Sequence, residues 1–190
     1  MFEKFYQYIH QFASFTDSEK KLLSSAFVFK QVPRKFRLAE EGRIAKELYF
    51  INKGLIRLYY NKEGEEITGY IFKDGLFASS YDSYLQQTPG IQILETLEDC
   101  DLLVISKKGL DQLYGQLPQM QVLGRKVAEQ RFINAQQMLS SFIMDSPEER
   151  YRKFEEQQGD LLLRVPHHMI ASYLGITPVS LSRIRKRLMS

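Results

Sequence analysis

Four glycines limit what the middle of this chain can become. Gly42, Gly54, Gly64 and Gly75 stand 10 to 12 residues apart. Between them run short stretches rich in Tyr, Phe and Ile, as in "LYFINKGLIRLYYNKEGEEITGYIFKDG". Short aromatic and β-branched strands separated by evenly spaced turn residues point to a sandwich, barrel or jelly roll. The same pattern continues through "IQILETLEDCDLLVIS" to Ser106, a residue suited to cap the helix "KKGLDQLYGQL".

Helical spacing flanks this β region. Phe2, Phe5, Tyr6, Ile9 and Phe12 predict an amphipathic first helix, and Thr16 with Glu19 forms a capping box for a second. After Pro118 a long helical stretch runs from about Gln119 to Met144, about 39 Å at 1.5 Å per residue. Met120, Leu123 and Val127 lead one face, Gln130 and Asn134 interrupt it, and Phe132, Ala135, Leu139 and Phe142 lie on a rotated one. That length suits a spine joining modules or pairing with its copy through Met120, Leu123, Val127, Gln130 and Asn134. An ordinary packed helix is the alternative. Ser146-Pro147 then starts a fresh helix, Gly159-Asp160 ends it, and "LLLRV" reads as a short strand before Pro166. The expected organisation is residues 1–117 as a β-rich domain, 118–144 as a connecting helix, and 145–190 as a helical unit.

With 190 residues and 44% hydrophobic content, the chain can bury real cores. A net charge of +3 decides nothing about partners, but its distribution does. From Arg164 to Ser190 there are five Lys/Arg and no acid, whereas residues 74 to 106 hold six acids and no Lys or Arg. That contrast suggests two modules with different jobs. The one cysteine, Cys100, excludes a disulfide framework or a four-thiolate cluster, and Asp99 and Asp101 beside it disfavour a thiolate. No apolar run spans a bilayer and no signal peptide opens the chain, so a cytoplasmic protein is expected.

The end of the chain, "IASYLGITPVSLSRIRK", has helix-turn-helix grammar. Met169, Ile170, Tyr173 and Leu174 share a face, small Ala171 permits close crossing, and Gly175 accepts a positive φ. Thr177 caps a second helix with Pro178 at its first position, and Leu181, Ile184 and Leu188 form its inner face. The opposite face carries Val179, Ser180, Ser182, Arg183, Lys186 and Arg187. On DNA, Arg183 would bond a guanine edge, Ser180 and Ser182 would reach bases or phosphates, and Pro178 and Val179 would meet a thymine methyl. Lys186, Arg187 and the amide at Thr177 would hold phosphates. A helical hairpin with merely solvated charges is the alternative.

In this order of parts the chain resembles the cyclic-AMP-receptor (Crp–Fnr) family of bacterial transcription regulators. The likeness rests on "LAEEGRIAKELYFINKGLIRLYY" and on "IASYLGITPVSLSRIRK". It implies an α+β fold with an N-terminal double-stranded β-helix (a jelly roll of the cyclic-nucleotide-binding kind), a long dimerisation helix and a C-terminal helix-turn-helix. It also implies a homodimer on double-stranded DNA, with RNA polymerase as a further partner. Gly175 falls on the family's turn glycine and Arg183 on an arginine that reads a guanine. Two further base readers fall on Pro178 and Val179, which cannot donate, so the operator should differ from that of the best-known member.

Other departures are expected to matter more. The family's Gly-Glu-Leu and Arg-Ser elements for ribose and phosphate correspond here to Ser79-Ser80-Tyr81 and roughly Gly90-Ile91. A bound phosphate wants a fixed cation, so no tight cAMP or cGMP binding is expected and no cofactor is assigned. An uncharged or cationic effector lined by Ser79, Ser80, Tyr81 and Asn134, or a filled roll, are the two readings. The sequence ends at Ser190 without the family's usual wing, which should cost phosphate contacts unless His167, His168 or a dimer partner compensates; a truncated chain is the alternative. The competing functions are a sensor or scaffold whose helix-turn-helix serves protein contacts, and a jelly-roll enzyme. The second is disfavoured because the β region has no histidine and no nucleophile–base pair.

Overall fold

The computed structural model describes residues 1–188. The residues at 189 and 190, where a wing would attach, lie outside them. Two short helices, α1 (Glu3–Ile9) and α2 (Asp17–Ala26), precede eight strands: β1 (Val28–Val32), β2 (Arg37–Ala39), β3 (Glu47–Lys53), β4 (Leu55–Lys62), β5 (Glu65–Lys73), β6 (Phe77–Ala78), β7 (Gln92–Thr96) and β8 (Cys100–Ser106). A short helix, α3 (Tyr81–Gln86), sits between β6 and β7. The remaining helices are α4 (Lys107–Gln116), α5 (Pro118–Met144), α6 (Pro147–Gln158), α7 (Leu161–Arg164), α8 (His167–Tyr173) and α9 (Pro178–Leu188).

The strands form two four-stranded antiparallel sheets, ordered β1-β8-β3-β6 and β2-β7-β4-β5. All four turn glycines have positive φ, from 76° at Gly42 to 109° at Gly54. Gly54 is doubly constrained, because a Cβ there would lie 2.5 Å from Cys100 Sγ.

Strand alternation distributes the apolar side chains over two cores. On β3 and β8, Tyr49, Ile51, Leu102 and Val104 point into the roll, where they meet Ile56, Leu58 and Leu94 from the facing sheet. Leu48, Phe50, Leu103 and Ile105 point outward and are covered by Phe5, Ile9, Leu23, Leu110, Leu113, Met120 and Leu123 from the helices. Being covered on both faces, these strands read as near-continuous apolar runs rather than as alternation.

The caps expected from sequence are present. The backbone N–H of Glu19, Gly109 and Glu149 donates to Thr16, Ser106 and Ser146 respectively, and two of the three sites are reciprocal capping boxes. Two expectations need correcting. "LLLRV" is no strand: Leu161–Arg164 forms the single turn α7, with Leu161 fully buried and Leu163 92% exposed. And Met120 and Leu123, expected on a dimer face, are each 3% exposed and pack into the chain's own core, with Val127 against the same cluster.

The C-terminal helices do not hang free. Leu55, Ile71 and Leu97 from the roll share one hydrophobic cluster with Tyr151, Phe154, Leu161, Ile170, Leu174 and Ile184. Polar contacts reinforce this seat. Ser172 Oγ on α8 accepts from the Thr68 N–H at 2.9 Å, and buried Arg57 donates to Thr68 Oγ1 and to Glu66. Arg164 donates to both oxygens of Glu98, at 3.0 and 2.7 Å, and also pairs with Asp74. These carboxylates push the Arg164 pKa up.

Candidate functional site

The terminal unit is built around the α8–α9 crossing. Ala171 is fully buried where the two helices meet, and Leu181 and Ile184 on α9 pack against Ile170 and Leu174. Gly175 makes the turn with φ +65°, its N–H donating to Ser172 O at 3.0 Å. A Cβ at this position would lie 2.6 Å from Phe142 Cε1, so α5 presses directly on the turn. Arg150 locks the same corner, donating to the carbonyls of Leu174 and Asp145 while its guanidinium lies over the Phe142 ring.

Thr177 caps α9 as its sequence position suggested, accepting from the Ser180 N–H at 3.1 Å. The outer face of α9 is open: Thr177, Pro178, Val179, Ser182, Arg183, Lys186 and Arg187 are exposed, and Ser180 is half-buried with its hydroxyl bonded to Thr177 Oγ1. Ser182 donates to Pro178 O, which leaves its lone pairs outward. Arg183 and Lys186 pair with no carboxylate among the described residues, whereas Arg187 bridges to Glu148 at 2.9 Å. Arg185 turns sideways and donates to Nε2 of exposed His167 at 2.7 Å. No acidic side chain belongs to α8 or α9, so this face can accept a polyanion without like-charge repulsion.

The residues expected to line an effector pocket are arranged differently from that expectation. Ser79 and Ser80 are 1% and 2% exposed, and their hydroxyls are occupied: Ser79 donates to Glu47 O, and Ser80 to Gln92 and Asp82. Gly90 packs so closely on Ser80 and Ser83 that a Cβ there would fall 2.9 Å from Ser83 Cβ. Tyr81, at the start of α3, carries on its ring the guanidinium of Arg131, 4.3 Å from the centroid. Asn134 lies one turn further along α5, accepting from Gln130, and lines a cleft of about 640 Å³ with Tyr70, Phe154 and Tyr173.

Arg131 is the residue that sequence reasoning missed. It donates to Phe77 O at 2.8 Å, sits 5.6 Å from the Phe72 centroid, and pairs with no carboxylate among the described residues. Burial pulls its pKa down from the usual arginine value, while neighbouring Tyr81, Tyr70 and Tyr8 act in the opposite sense. The acidic middle of the chain therefore does have a cation beside it, supplied by α5. The only hint in sequence is an arginine one turn before Asn134, between Gln130 and Phe132. Among the described residues, no three His, Cys, Asp or Glu side chains gather as a metal site, and no helix is long and apolar enough to cross a membrane.

Residues 29–116 match the family model of the cyclic nucleotide-binding domain. Over most of the chain the fold is shared with solved regulators that are each under 25% identical to it. The c-di-GMP responsive global regulator CLP of Xanthomonas campestris superposes with a TM-score of 0.72 at 17% identity, covering 92% of each chain. FixK2 of Bradyrhizobium japonicum gives 0.75 at 17% identity over 86% of this chain and 84% of its own. The catabolite activator protein of Thermus thermophilus gives 0.58 at 21% identity over 93% and 84%. No curated protein matches the sequence.

Proposed function

We propose that this chain is a sequence-specific DNA-binding transcription regulator of the Crp–Fnr type, acting as a homodimer. The observation that carries the reading is the exposed, acid-free outer face of α9, capped by Thr177 and held by a tight glycine turn. It belongs to a fold shared over most of the chain with solved regulators. Arg183 is the base reader, Lys186 and Arg187 hold phosphates, and the Glu148 carboxylate releases Arg187 when DNA arrives. RNA polymerase is a partner of the same reading.

We place the dimer seam elsewhere than the sequence suggested. Because Met120 and Leu123 face inward, pairing falls to the exposed side of α5, where Phe132, Leu139 and Ile143 are 65%, 54% and 70% exposed. With Gln136 between them, these positions alternate four and three apart, the spacing of a coiled-coil seam. Gln130 and Asn134 bond to each other on a neighbouring face. The effector of this reading is neither cAMP nor cGMP: Ser80 is already hydrogen-bonded, and the Arg131 guanidinium is engaged with Tyr81 and Phe77 O.

Selection of bound duplexes from a random DNA pool at two salt concentrations tests this. The expected outcome is a two-fold symmetric consensus with half-sites about 34 Å apart and weaker recovery at high salt. Recovery of nothing above background at low salt would sink it in favour of a scaffold role. Arg183→Ala should relax preference at one base pair and cost about 1–3 kcal/mol on the consensus site.

A further inference from the structure

The stretch "PRKFR", which leads from β1 into β2, carries the exposed cations Arg34, Lys35 and Arg37. Arg37 lies 3.8 Å from Glu95, whereas the side chains of Arg34 and Lys35 pair with no carboxylate among the described residues. Their backbone, by contrast, is pinned. The N–H groups of Arg34, Lys35 and Phe36 donate in succession to Asp99 Oδ1 at 2.8 Å, Thr96 O at 2.8 Å and Thr96 Oγ1 at 2.9 Å. Thr96, fully buried, donates back to Pro33 O at 2.7 Å. Lys35 sits at φ +65°, a left-handed conformation uncommon in residues other than glycine. A buried threonine thus holds a strained turn that keeps two long cationic side chains outside, and backbone of this kind gathers at functional sites.

The position of this turn gives it a use. Arg34 lines an open groove of about 580 Å³ between the roll and the C-terminal helices, with Leu163, Arg164 and His167 on the helical side. Glu98 also lines it, but both its oxygens accept from Arg164, which offsets its charge toward an anion. His167 and His168 open α8 and are exposed. In a helix-turn-helix on DNA, the first helix crosses the sugar–phosphate backbone while the second enters the major groove. With α9 in that groove, a DNA strand therefore runs past α8. The groove that Arg34 shares with His167 continues that path onto the roll.

We propose that the turn at Arg34 and Lys35 belongs to the DNA interface: duplex beyond the base pairs read by α9 lies along this groove, and both side chains hold its phosphates. The inference rests on the DNA-binding reading of α9 and adds to it a contact from the roll. Contacts of this kind carry no sequence information. They raise affinity through released counterions and fix the register of the protein on the duplex. They also make bound DNA a second bridge between the roll and the helices that Ser172 and Arg164 already tie to it.

The test is a salt titration of the full chain on the duplex recovered by selection. The unmodified protein is compared with Arg34→Gln/Lys35→Gln and with Lys21→Gln/Lys108→Gln, which removes the same charge from exposed positions on α2 and α4. Each lost phosphate contact reduces the steepness of log affinity against log salt by about 0.9. The expected result is a slope shallower by about two in the loop variant, with base preferences and Tm unchanged, and no change in the control. Trimming the duplex to the consensus base pairs should flatten the slope of the unmodified protein by the same amount and leave the loop variant unaffected. That arm needs no variant, so it decides the matter even if the loop substitutions disturb folding. An unchanged slope in the loop variant, an equal loss in the control, or no effect of trimming on the unmodified protein overturns the proposal and leaves the reading of α9 standing. Absence of binding by the unmodified chain to any duplex overturns both.

Discussion

Substituting Gly175 by alanine probes the corner where the long helix, the α5–α6 joint and the C-terminal helix pair meet. Three quantities set the outcome. A side chain held at φ +65° costs about 1–2 kcal/mol. The new Cβ would lie 2.6 Å from Phe142 Cε1, and overpacking of that kind costs about 1–3 kcal/mol. Against these, alanine restricts the unfolded chain and returns about 0.4–1 kcal/mol. Phe142 is 44% exposed and its ring can partly yield, which places the overpacking near the low end and the net loss at about 2 kcal/mol. For a chain of this size that lowers Tm by about 4–8 °C. A double-mutant cycle with Phe142→Ala separates the terms. In that background the contact is gone, and Gly175→Ala should cost only about 1 kcal/mol. Urea denaturation of the four proteins measures both costs. An equal cost in the two backgrounds would refute the contact with α5, and a cost below about 0.5 kcal/mol in the unmodified chain would refute the backbone argument as well.

Thr177→Ala removes the hydroxyl that accepts from the Ser180 N–H and should destabilise the chain by about 1 kcal/mol, read by thermal melting. Arg164→Gln breaks the bidentate pairing with Glu98; because both side chains are about one-third exposed, the loss should be no more than about 1 kcal/mol and should shrink with added salt. Cys100 is 2% exposed and burial pushes its thiol up to about 11, so at pH 8 a disulfide reagent should modify it only as fast as the chain unfolds; rapid modification of the native protein would contradict its placement. Asp145, at the joint between α5 and α6, is held below its ordinary value of 3.8 by Lys153 first and then by Ser141. A depressed carboxylate stabilises the fold above its ordinary pKa and loses that contribution as protons are added, so melting followed from pH 6 to pH 3 should show the loss setting in below about pH 4, and Asp145→Asn should flatten it.

Local signals carried most of what the sequence foretold. Thr16, Ser106, Ser146 and Thr177 cap the helices that follow them because a cap needs only a side chain and an amide three residues on. Glycines at 42, 54, 64, 75 and 175 occupy positive-φ turns for equally local reasons. Failures came where the deciding partner is distant. A run such as "LLLRV" has no period long enough to tell a strand from one helical turn, and the answer depends on Leu161 finding the shared cluster that includes Leu55 and Leu97. Met120 and Leu123 form an apolar stripe whose direction is settled by the sheet beneath it, and nothing local says whether such a stripe meets its own roll or another chain. Arg131 matters only because α5 crosses over Tyr81, a contact that joins residues 50 positions apart.

The cluster that unites Leu55, Ile71 and Leu97 with the helices after residue 145 bears on how such a protein can be recombined. A recognition unit tethered by a linker can be exchanged between scaffolds as a cassette. Here transplanting residues 145–188 alone would strip cover from three buried side chains of the roll and from Ile170 and Leu174, each worth about 1.5–3 kcal/mol when fully enclosed. It would also part the Thr68 N–H from Ser172 and Glu98 from Arg164 across the seam. A working chimera must therefore carry the outer face of β4 and β5 along with the helices, so the crossover that preserves function lies inside the roll rather than at the hinge.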